Sequence, residues 1–326
     1  MKISDLVIMT VTYGNRFDEL SSGPLKLAKL LGCKIVIVCN GISEEYRQKL
    51  EEYIEVKRPD VKLIVKEKNL GSSGGFSAGI EYCSKLPLSW LLILDDDNFV
   101  SVNGIKSINE SKLRPANFLH RKGRKYMDVV IEGDDPKPFL SQDGAFLGLS
   151  LSQQVMKKFS SVRKGNFEDF CFPWSPYGGL LLSDKAVTSG ILPNKDYFLY
   201  CDDTEYTNKL SKKFGLYLLH DCKVDDLSAS WNVAENKNLF DRLVHEKDNW
   251  RVYYSVRNQS HFDFLRKNKT SLFVLNILLF FMILFLYSVF YLVKKKEIHY
   301  ISRFKLIVNS AWQGLKGRLG NKGINW

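Results

Sequence analysis

Short apolar runs rich in β-branched residues alternate with helix-forming stretches through the first hundred residues. Strands are predicted at residues 6–12, 35–39, 61–65 and 90–94. Helices are predicted between them at residues 24–32, 43–56 and about 75–85. Strands separated by helices in this way predict an α/β fold, with a mostly parallel central sheet and helices on both faces.

Polar residues follow these predicted strands at their carboxyl ends. Thr12 and Tyr13 close the first strand, Asn40 follows the second, and the aspartates at 95–97 follow the fourth. Ligands bind outside the carboxyl ends of strands in such sheets, so we expect these residues to converge on one crevice. Three adjacent carboxylates need open water, a basic side chain or a divalent cation, which leaves both a solvated loop and a metal site open.

The aspartate triplet has its own geometry if the chain stays extended. Asp95 and Asp97 would then point to one face and Asp96 to the other. One face could offer a metal ligand while the triplet also contacts a sugar or ribose.

A glycine-rich segment, NLGSSGGF at 69–76, precedes one predicted helix. Glycines allow close approach to a ligand, and a helix N-terminus favours phosphate. The segment lacks the Gly-Lys-Ser/Thr ending of a P-loop and the GxGxxG spacing, so alone it is a weak signal.

A second acidic group lies in YFLYCDDTEY at 197–206. Asp202, Asp203 and Glu205 fall at the start of a helix predicted over 203–213. Aromatic and aliphatic residues crowd in front of them, and a half-buried carboxylate can have a raised pKa and act as a base.

The middle of the chain is less regular. Residues 101–140 are polar and predict a loop-rich insertion, and later strands are predicted at 146–151, 180–182 and 216–219. We expect a catalytic domain over residues 1–262 and a membrane-associating region over 263–326.

Composition narrows the partners. The chain has 326 residues, a net charge of +11, and six scattered cysteines without a CxxC pair. A reduced protein is expected, and its positive charge favours acidic partners: nucleic acid, phosphates or an anionic membrane. Of these, nucleic acid is not expected as a partner once the motifs below are considered.

The segment 272–293 has 22 residues without a charge and is flanked by Lys and Arg on both sides. It is long enough to span a bilayer. Positive charge normally stays cytoplasmic, which favours a helix or hairpin lying in the cytoplasmic leaflet, with a true span as the alternative.

In the tail, apolar residues recur at helical spacing with Arg303 and Lys305 off that face; a helix packed on the catalytic domain is the alternative. The tail's apolar set is Ile301, Phe304, Val308, Ala311, Trp312 and Leu315.

Several motifs in this order resemble the family 2 glycosyltransferases of the GT-A fold, from about residue 6 to residue 258. The motifs are VTYGNR, NLGSSGGF, the triplet, PYGGLLL, CDDTEY, DLSASW and YYSVRN. NLGSSGGFSAG with the triplet is most similar to the galactofuranosyltransferase branch, and the later motifs are similar to bacterial surface-polysaccharide members.

The resemblance implies roles for individual carboxylates. The triplet would hold a nucleotide-sugar through Mn²⁺ or Mg²⁺, with Asp97 and Asp95 on the metal side and Asp203 as the base. The family often has a His as a further ligand, and here Asp226 stands in that place, with Asp225 as its rival. Carboxylate also suits these metals.

The resemblance also implies donor and acceptor contacts. The donor set is Thr12, Tyr13, Asn40, Asn69, Gly71, Gly74, Asp95 and Asp96. The acceptor set is Trp174, Tyr177, Asp202 and Glu205, where core packing is the alternative for the two aromatic residues.

The implied activity is inverting transfer from a UDP- or dTDP-linked sugar to a lipid-linked oligosaccharide, for O-antigen or capsule. The branch implies galactofuranose, with rhamnose or galactose as alternatives, and the expected place is the cytoplasmic face of the bacterial inner membrane. A nucleotidyltransferase would want a basic glycine-rich loop after the first strand, where TYGNRFDEL stands. The alternative of another class is a membrane-bound carbohydrate-binding protein without activity.

Overall fold

The structure is a computed structural model that describes residues 5–57, 60–140, 144–159, 164–167, 169–227 and 238–322. The chain forms two compact units. The first contains Met1–Asp135, Lys164–Phe198 and Asp202–Val233, and the second contains Pro136–Arg163, Leu199–Cys201 and Ala234–Trp326. The units therefore divide near residue 233, whereas the boundary expected at 262 falls inside a helix.

The strands are β1 (Leu6–Thr12), β2 (Lys34–Asn40), β3 (Val61–Lys66), β4 (Trp90–Asp95), β5 (Asn98–Val100), β6 (Ala116–Arg121), β7 (Leu180–Ser183) and β8 (Tyr217–Asp226). The helices are α1 (Phe17–Ser22), α2 (Pro24–Leu31), α3 (Glu44–Lys57), α4 (Gly71–Cys83), α5 (Val102–Lys106), α6 (Lys125–Ile131), α7 (Lys137–Leu140), α8 (Leu151–Phe159), α9 (Asp184–Val187), α10 (Asp202–Phe214), α11 (Leu239–His245), α12 (Asn249–Arg266), α13 (Thr270–Lys295) and α14 (His299–Leu315). Short 3₁₀ turns lie at Glu110–Lys112 and Lys195–Tyr197.

All eight strands of the first unit form one sheet, in the order β3-β2-β1-β4-β7-β6-β8-β5. Strand β1 pairs in parallel with β2 and β4, and β2 with β3, as the strand–helix alternation predicts. Strand β7 pairs antiparallel with β4 and β6, β6 pairs in parallel with β8, and β5 pairs antiparallel with β8. The sheet is thus parallel in its first half and mixed in its second.

The parallel half is sandwiched as predicted. On one face, Ile8, Ile37 and Leu92 pack with Leu25 of α2 and Leu50 of α3, all fully or almost fully buried. Burial of each such side chain stabilises the fold by about 1.5–3 kcal/mol.

Helix α4 lies close against the other face because it carries glycines four residues apart. A Cβ at Gly75 would lie 2.6 Å from Val11 Cγ1, and one at Gly79 would lie 2.7 Å from Met9 Sδ. The glycine-rich segment therefore serves helix–sheet packing, and α4 begins at Gly71, earlier than predicted.

Two predictions for the middle of the chain are wrong. Residues 101–140 are not mainly loop, since they supply β6, which is buried along its length between β7 and β8. The strand predicted at 146–151 does not form: Phe146 and Leu149 make one isolated bridge, and α8 begins at Leu151.

The second unit is helical. Helices α12 and α14 touch at Gly314, where a Cβ would overlap the Arg257 carbonyl oxygen. Helix α14 forms where the tail predicts it, and Arg303 lies off the face that carries the exposed Ile301, Val308 and Trp312, as predicted. Arg303 is only 8% exposed and donates to the Glu246 carbonyl, so it lies on the buried side. Ala311, expected with the exposed apolar residues, is also buried.

Asp263, in the second unit, is a buried carboxylate whose charge should destabilise that unit at neutral pH. It is 2% exposed, and it accepts from Leu147 N at 2.8 Å and from Gln259 Nε2 at 2.9 Å. Burial raises the pKa of Asp263 to about 6, while these hydrogen bonds and Arg266 oppose the shift. Because the pKa of Asp263 is higher in the folded than in the unfolded state, the contribution of its protonated form to stability is fully present below about pH 4. That contribution is lost as the pH rises through about 6.

Asp263→Asn should remove this pH dependence, since an amide can keep the Leu147 hydrogen bond without a charge. The variant's gain in unfolding free energy over wild type should widen by about 1–2 kcal/mol between pH 5 and pH 8. Urea unfolding of both proteins at the two pH values measures it. A gain that stays the same at both pH values would contradict the prediction.

Candidate active site

Three polar residues at the ends of neighbouring strands share one edge of the sheet. Strand β1 lies between β2 and β4, and Thr12, Asn40 and Asp95 close these strands. In register, Thr12 pairs with Cys39 and Val11 with Asp95. The structure thus brings these predicted residues to one side of the sheet.

The aspartate triplet is not extended. Strand β4 ends at Asp95, a turn follows, and β5 begins at Asn98. Arg16 Nε donates to both oxygens of Asp96, at 2.9 and 3.0 Å, and Arg16 Nη2 donates to Asp97 Oδ2 at 2.9 Å. Asp96 and Asp97, expected on opposite faces, therefore share one guanidinium.

A second arginine joins the remaining acids. Arg121 ends β6 and is 7% exposed; its Nη2 lies 3.3 Å from Asp95 Oδ2 and 3.4 Å from Asp226 Oδ1. Asn98 Nδ2 donates to Asp226 Oδ1 at 3.0 Å and to Asp97 Oδ1 at 3.5 Å. Of the three predicted metal ligands, Asp95 and Asp226 thus contact Arg121, and Asp97 and Asp226 contact Asn98.

The rival ligand Asp225 stands apart from this cluster. Strand β8 pairs with β5 so that Asp226 is opposite Asn98 and Asp225 is opposite Phe99. Since neighbouring strand residues point to opposite faces, Asp225 points away, and it is exposed. Of the two rivals, only Asp226 belongs to the cluster.

Burial and mutual repulsion raise the pKa of three of these acids, Asp95, Asp96 and Asp226. Burial raises the pKa of Asp95 to about 6; Arg121 opposes the shift, and the charges of Asp97 and Asp203 add to it. Burial raises the pKa of Asp96 to about 7, with Arg16 opposing. Burial also raises the pKa of Asp226, which Arg121 opposes and Asp97 reinforces.

These groups fit a divalent cation in charge and in chemistry. Four carboxylates meet two arginines, Arg16 and Arg121, so the ionised cluster carries two excess negative charges. Carboxylate oxygens suit Mg²⁺ and Mn²⁺. Among the residues that the structure describes, no three His, Cys, Asp or Glu side chains already form a metal-binding group. The arginines hold these carboxylates, and a metal would compete with them.

The second acidic group lies at the start of α10. Asp202 is 2% exposed and accepts from Ser72 Oγ at 2.8 Å. Burial raises its pKa, and the neighbouring Asp203 charge adds to the shift. Burial also raises the pKa of Asp203, but hydrogen bonds from Thr204 and the charges of two arginines oppose that shift. Burial thus raises the pKa of both carboxyls, and hydrogen bonds oppose the shift at each of them.

Glu205, on the same turn, is tied to its own helix. Its Oε1 lies 2.6 Å from Lys209 Nζ, one turn on. Its Oε2 is buried without a hydrogen-bond partner in the described part of the chain.

Three backbone N–H groups at the start of α4 donate hydrogen bonds within the protein. Leu70 N donates to Asn40 Oδ1, Gly71 N to Asn69 Oδ1, and Ser73 N to the Phe198 carbonyl. Asn40 Nδ2 also donates to the Gly71 carbonyl at 3.0 Å. Acceptors within the protein thus occupy these three N–H groups. Gly74 packs on Leu70, whose Cβ would lie 2.5 Å from a Cβ at 74.

The chain in front of α10 is strained. Phe198 has φ 63° and ψ −62°, and Tyr200 and Cys201 have φ of 67° and 62°. Non-glycine residues held at positive φ cost about 1–3 kcal/mol each and cluster at functional sites. Gly71 has φ 73°, and a Cβ there would overlap the Phe198 carbonyl oxygen. Only glycine fits this approach.

Within the second unit, Asn258 fixes part of the strained segment. It is fully buried, and its Nδ2 donates to the carbonyls of Leu199 at 2.7 Å and Tyr200 at 3.0 Å. The YYSVRN motif thus has a positioning role that the sequence did not reveal.

The predicted stacking residues differ in exposure. Tyr177 is 4% exposed, and its ring stacks on Phe76 with centroids 4.0 Å apart, which is the core-packing alternative. Trp174 is half-buried. Tyr13 is 49% exposed with the Arg16 guanidinium 5.5 Å from its ring. Of the DLSASW motif, residues 228–231 lie outside the described residues.

The comparisons with known proteins agree with this architecture. The family model described as glycosyl transferase family 2 matches residues 18–118. Residues 1–349 of TarS from S. aureus, solved with UDP-GlcNAc, superpose with a TM-score of 0.52 at 12% identity, covering 96% of this chain and 82% of that one. The mannosyltransferase PcManGT from Pyrobaculum calidifontis, solved with GDP-Man and Mn²⁺, gives 0.51 at 10% identity, covering 96% and 88%. No curated protein matches the sequence significantly. Residues 18–118 thus match family 2 glycosyl transferases, and the chain has the fold of the glycosyltransferase structures to which it is similar.

Proposed function

We propose that the chain transfers a sugar from a nucleoside diphosphate to a hydroxyl of a lipid-linked glycan, with inversion at the anomeric carbon. One observation carries the proposal: Asp95, Asp96, Asp97 and Asp226 gather around Arg16 and Arg121 where β4 ends. The base candidate Asp203 lies at the start of α10, which is joined to the start of α4 by the hydrogen bond from Ser72 to Asp202.

On the donor side, Thr12, Tyr13 and Asn40 stand where a base and ribose would lie, with Asp95 and Asp96 next to them. Exposed Tyr13 is the natural stacking partner for the base. Asn69, Gly71 and Gly74 shape the neighbouring turn. That TarS was solved with UDP-GlcNAc and PcManGT with GDP-Man supports a nucleotide-sugar donor. We favour a UDP- or dTDP-linked sugar, with galactofuranose first and rhamnose or galactose as alternatives.

Mn²⁺ or Mg²⁺ would be held by Asp97, Asp95 and Asp226, and when bound it would neutralise the diphosphate leaving group. PcManGT, solved with Mn²⁺, supports this choice. Arg121, nearly buried, adds fixed positive charge beside these acids.

On the acceptor side, Asp203 takes the proton from the acceptor hydroxyl. The oxygen then forms its bond to the anomeric carbon as the bond from that carbon to the phosphate oxygen breaks. Asp202 keeps its own proton and holds Ser72. The half-buried Trp174 and the buried Glu205 are proposed to contact the acceptor. We place the reaction at the cytoplasmic face of a bacterial inner membrane, in O-antigen or capsule synthesis.

The experiment is release of nucleoside diphosphate by the purified full chain from a panel of UDP-, dTDP- and GDP-sugars. Each donor is tested with membrane lipid extract as acceptor, with Mn²⁺ and with chelator. Acceptor-dependent release from one donor supports the proposal. Sugar binding without release from any donor would favour the carbohydrate-binding alternative.

A side chain at Gly178, in the PYGG motif, should sharply weaken donor binding. A Cβ there would overlap Arg121 Nη2 and Asn98 Oδ1, and would lie 2.6 Å from Asp95 Oδ2. Gly178→Ala should therefore push Arg121 out of the cluster and weaken nucleoside diphosphate binding roughly 10- to 100-fold, as for lost outer-shell partners. Gly165→Ala is the control, because its nearest atom lies 3.4 Å away. Calorimetry compares the two, and equal affinities would contradict the assignment.

A further inference from the structure

Helix α13 has two faces of different character. One face is buried in the second unit: Phe273, Asn276, Phe280, Leu284 and Ser288. The other face is a continuous exposed apolar stripe at helical spacing: Leu275, Leu278, Met282, Phe285, Leu286, Val289, Phe290 and Val293. Among the described residues, α13 is the one helix long and apolar enough to cross a membrane. Its two faces decide whether it does so.

The buried face is locked to the rest of the second unit. Asn276 Nδ2 donates to the Gly144 carbonyl at 2.7 Å, and Leu151 N donates to Asn276 Oδ1 at 3.3 Å. Further along, the Phe280 ring lies 5.4 Å from Phe146 and 5.2 Å from Phe240. Buried residues from 273 to 288 span about 22 Å of helix, so α13 is packed over most of its length.

Polar groups accompany the second half of the helix. Asn238 Nδ2 donates to Tyr287 Oη at 2.9 Å, and Tyr291 Oη donates to Asp241 Oδ1 at 3.1 Å. Both partners belong to the segment around α11, which also carries Arg242. If α13 crossed a bilayer, these groups would enter hydrocarbon, where ionisable side chains are costly.

The exposed stripe continues onto α14. The Phe304 ring lies 5.9 Å from Phe285, and Ile301, Val308 and Trp312 are exposed on either side of it. We define the apolar stripe of α13 together with these three residues as the lipid face.

The positive charge around the lipid face indicates which partner covers it. Residues 264–326 carry eleven Lys or Arg and a single acid, Glu297. Lysines stand at both ends of α13, at 267 and 269 and at 294–296. A second copy of the chain would bring the same positive charge, whereas an anionic bilayer surface complements it.

We infer that α13 lies in the plane of an anionic membrane, with the lipid face in the headgroup–acyl boundary and the flanking lysines on the headgroups. This orientation keeps both lysine clusters on one side, which a span cannot do. It also resolves the choice that the sequence leaves open between a span and an in-plane helix. The inference stands on the second unit alone, so it holds or fails independently of the sugar transferred.

The test is flotation of the full chain with phosphatidylcholine vesicles, with and without phosphatidylglycerol. Wild type should float with the anionic vesicles and much less with the neutral ones. Leu278→Ser combined with Phe285→Ser should reduce binding at least tenfold without unfolding the protein, because both side chains are more than half exposed. Leu30→Ser is the matched control, since Leu30 is 60% exposed on α2.

Alkaline carbonate extraction then separates the two orientations. An in-plane helix should be released from membranes of expressing cells, whereas retention in the pellet would establish a span and overturn the inference. A wild type that does not float but forms a dimer, lost in the double variant, would identify a second copy as the occupant. If the double variant and the control float equally well, the lipid face is not the membrane-binding surface.

Discussion

Asp203→Asn is expected to abolish sugar transfer while leaving donor binding intact. Burial raises the pKa of Asp203, while Thr204, Arg124 and Arg121 oppose the shift, so its carboxylate is a stronger base than an exposed one. Loss of a general base costs about 10²–10⁴-fold in rate with binding largely kept. The measurement is turnover at saturating donor and acceptor, beside donor affinity by calorimetry.

Asp202→Asn is the matched control, one residue away on the same helix. Asp202 accepts from Ser72 Oγ and holds its proton, so a neutral amide is close to its working form. This variant should keep turnover within a few-fold of wild type. Glu205→Gln should act mainly through the acceptor KM. A dead Asp202→Asn beside an active Asp203→Asn would show that the base is the other carboxylate.

The pH profile gives an independent check on the same residue. A base works only when deprotonated, so turnover of wild type should fall as the pH is lowered through the raised pKa of Asp203. In Asp203→Asn, the residual rate should lose that acid limb. An unchanged profile would contradict the assignment.

The parallel half of the fold was predictable because each strand is an apolar run that ends in a polar residue. Strand β6 was missed for the opposite reason. Its sequence ANFLHR contains Asn117, His120 and Arg121, all buried, so no period of two separates an inner from an outer face. The start of α4 was missed because its glycines are poor helix formers; β1 requires them for close packing.

The carboxylates of the site were visible in the sequence, but their partners were not. Arg16 reaches Asp96 across 80 residues, and Arg121 reaches Asp95 across 26. Asn258 reaches the Tyr200 carbonyl across 58. No local pattern joins residues so far apart, since the sheet order and the strained segment at 198–201 bring them together. The local sequence shows the carboxylates, but only the fold shows which arginine side chains bind them.

Asp97→Asn is expected to remove the metal dependence of nucleotide binding. Asp97 contacts two different side chains of the site: Arg16 Nη2 donates to its Oδ2, and Asn98 Nδ2 lies 3.5 Å from its Oδ1. The substitution lowers the excess negative charge that attracts a divalent cation and removes one anionic ligand. Loss of an outer-shell partner alone costs about 10–100-fold in metal affinity, so loss of a ligand should cost at least that.

Asp225→Asn is the control for this charge change. It removes the same charge from the neighbour of Asp226, but its side chain points to the opposite face of β8 and is exposed. Nucleoside diphosphate binding is measured by calorimetry in Mn²⁺ and in chelator. Wild type and Asp225→Asn should bind more tightly in Mn²⁺ than in chelator, whereas Asp97→Asn should show no such difference. If wild type binds equally well in chelator, Arg16 and Arg121 are themselves the counter-charge for the diphosphate. Asp97→Asn would then bind nucleotide no more weakly than Asp225→Asn, because no metal is there to lose.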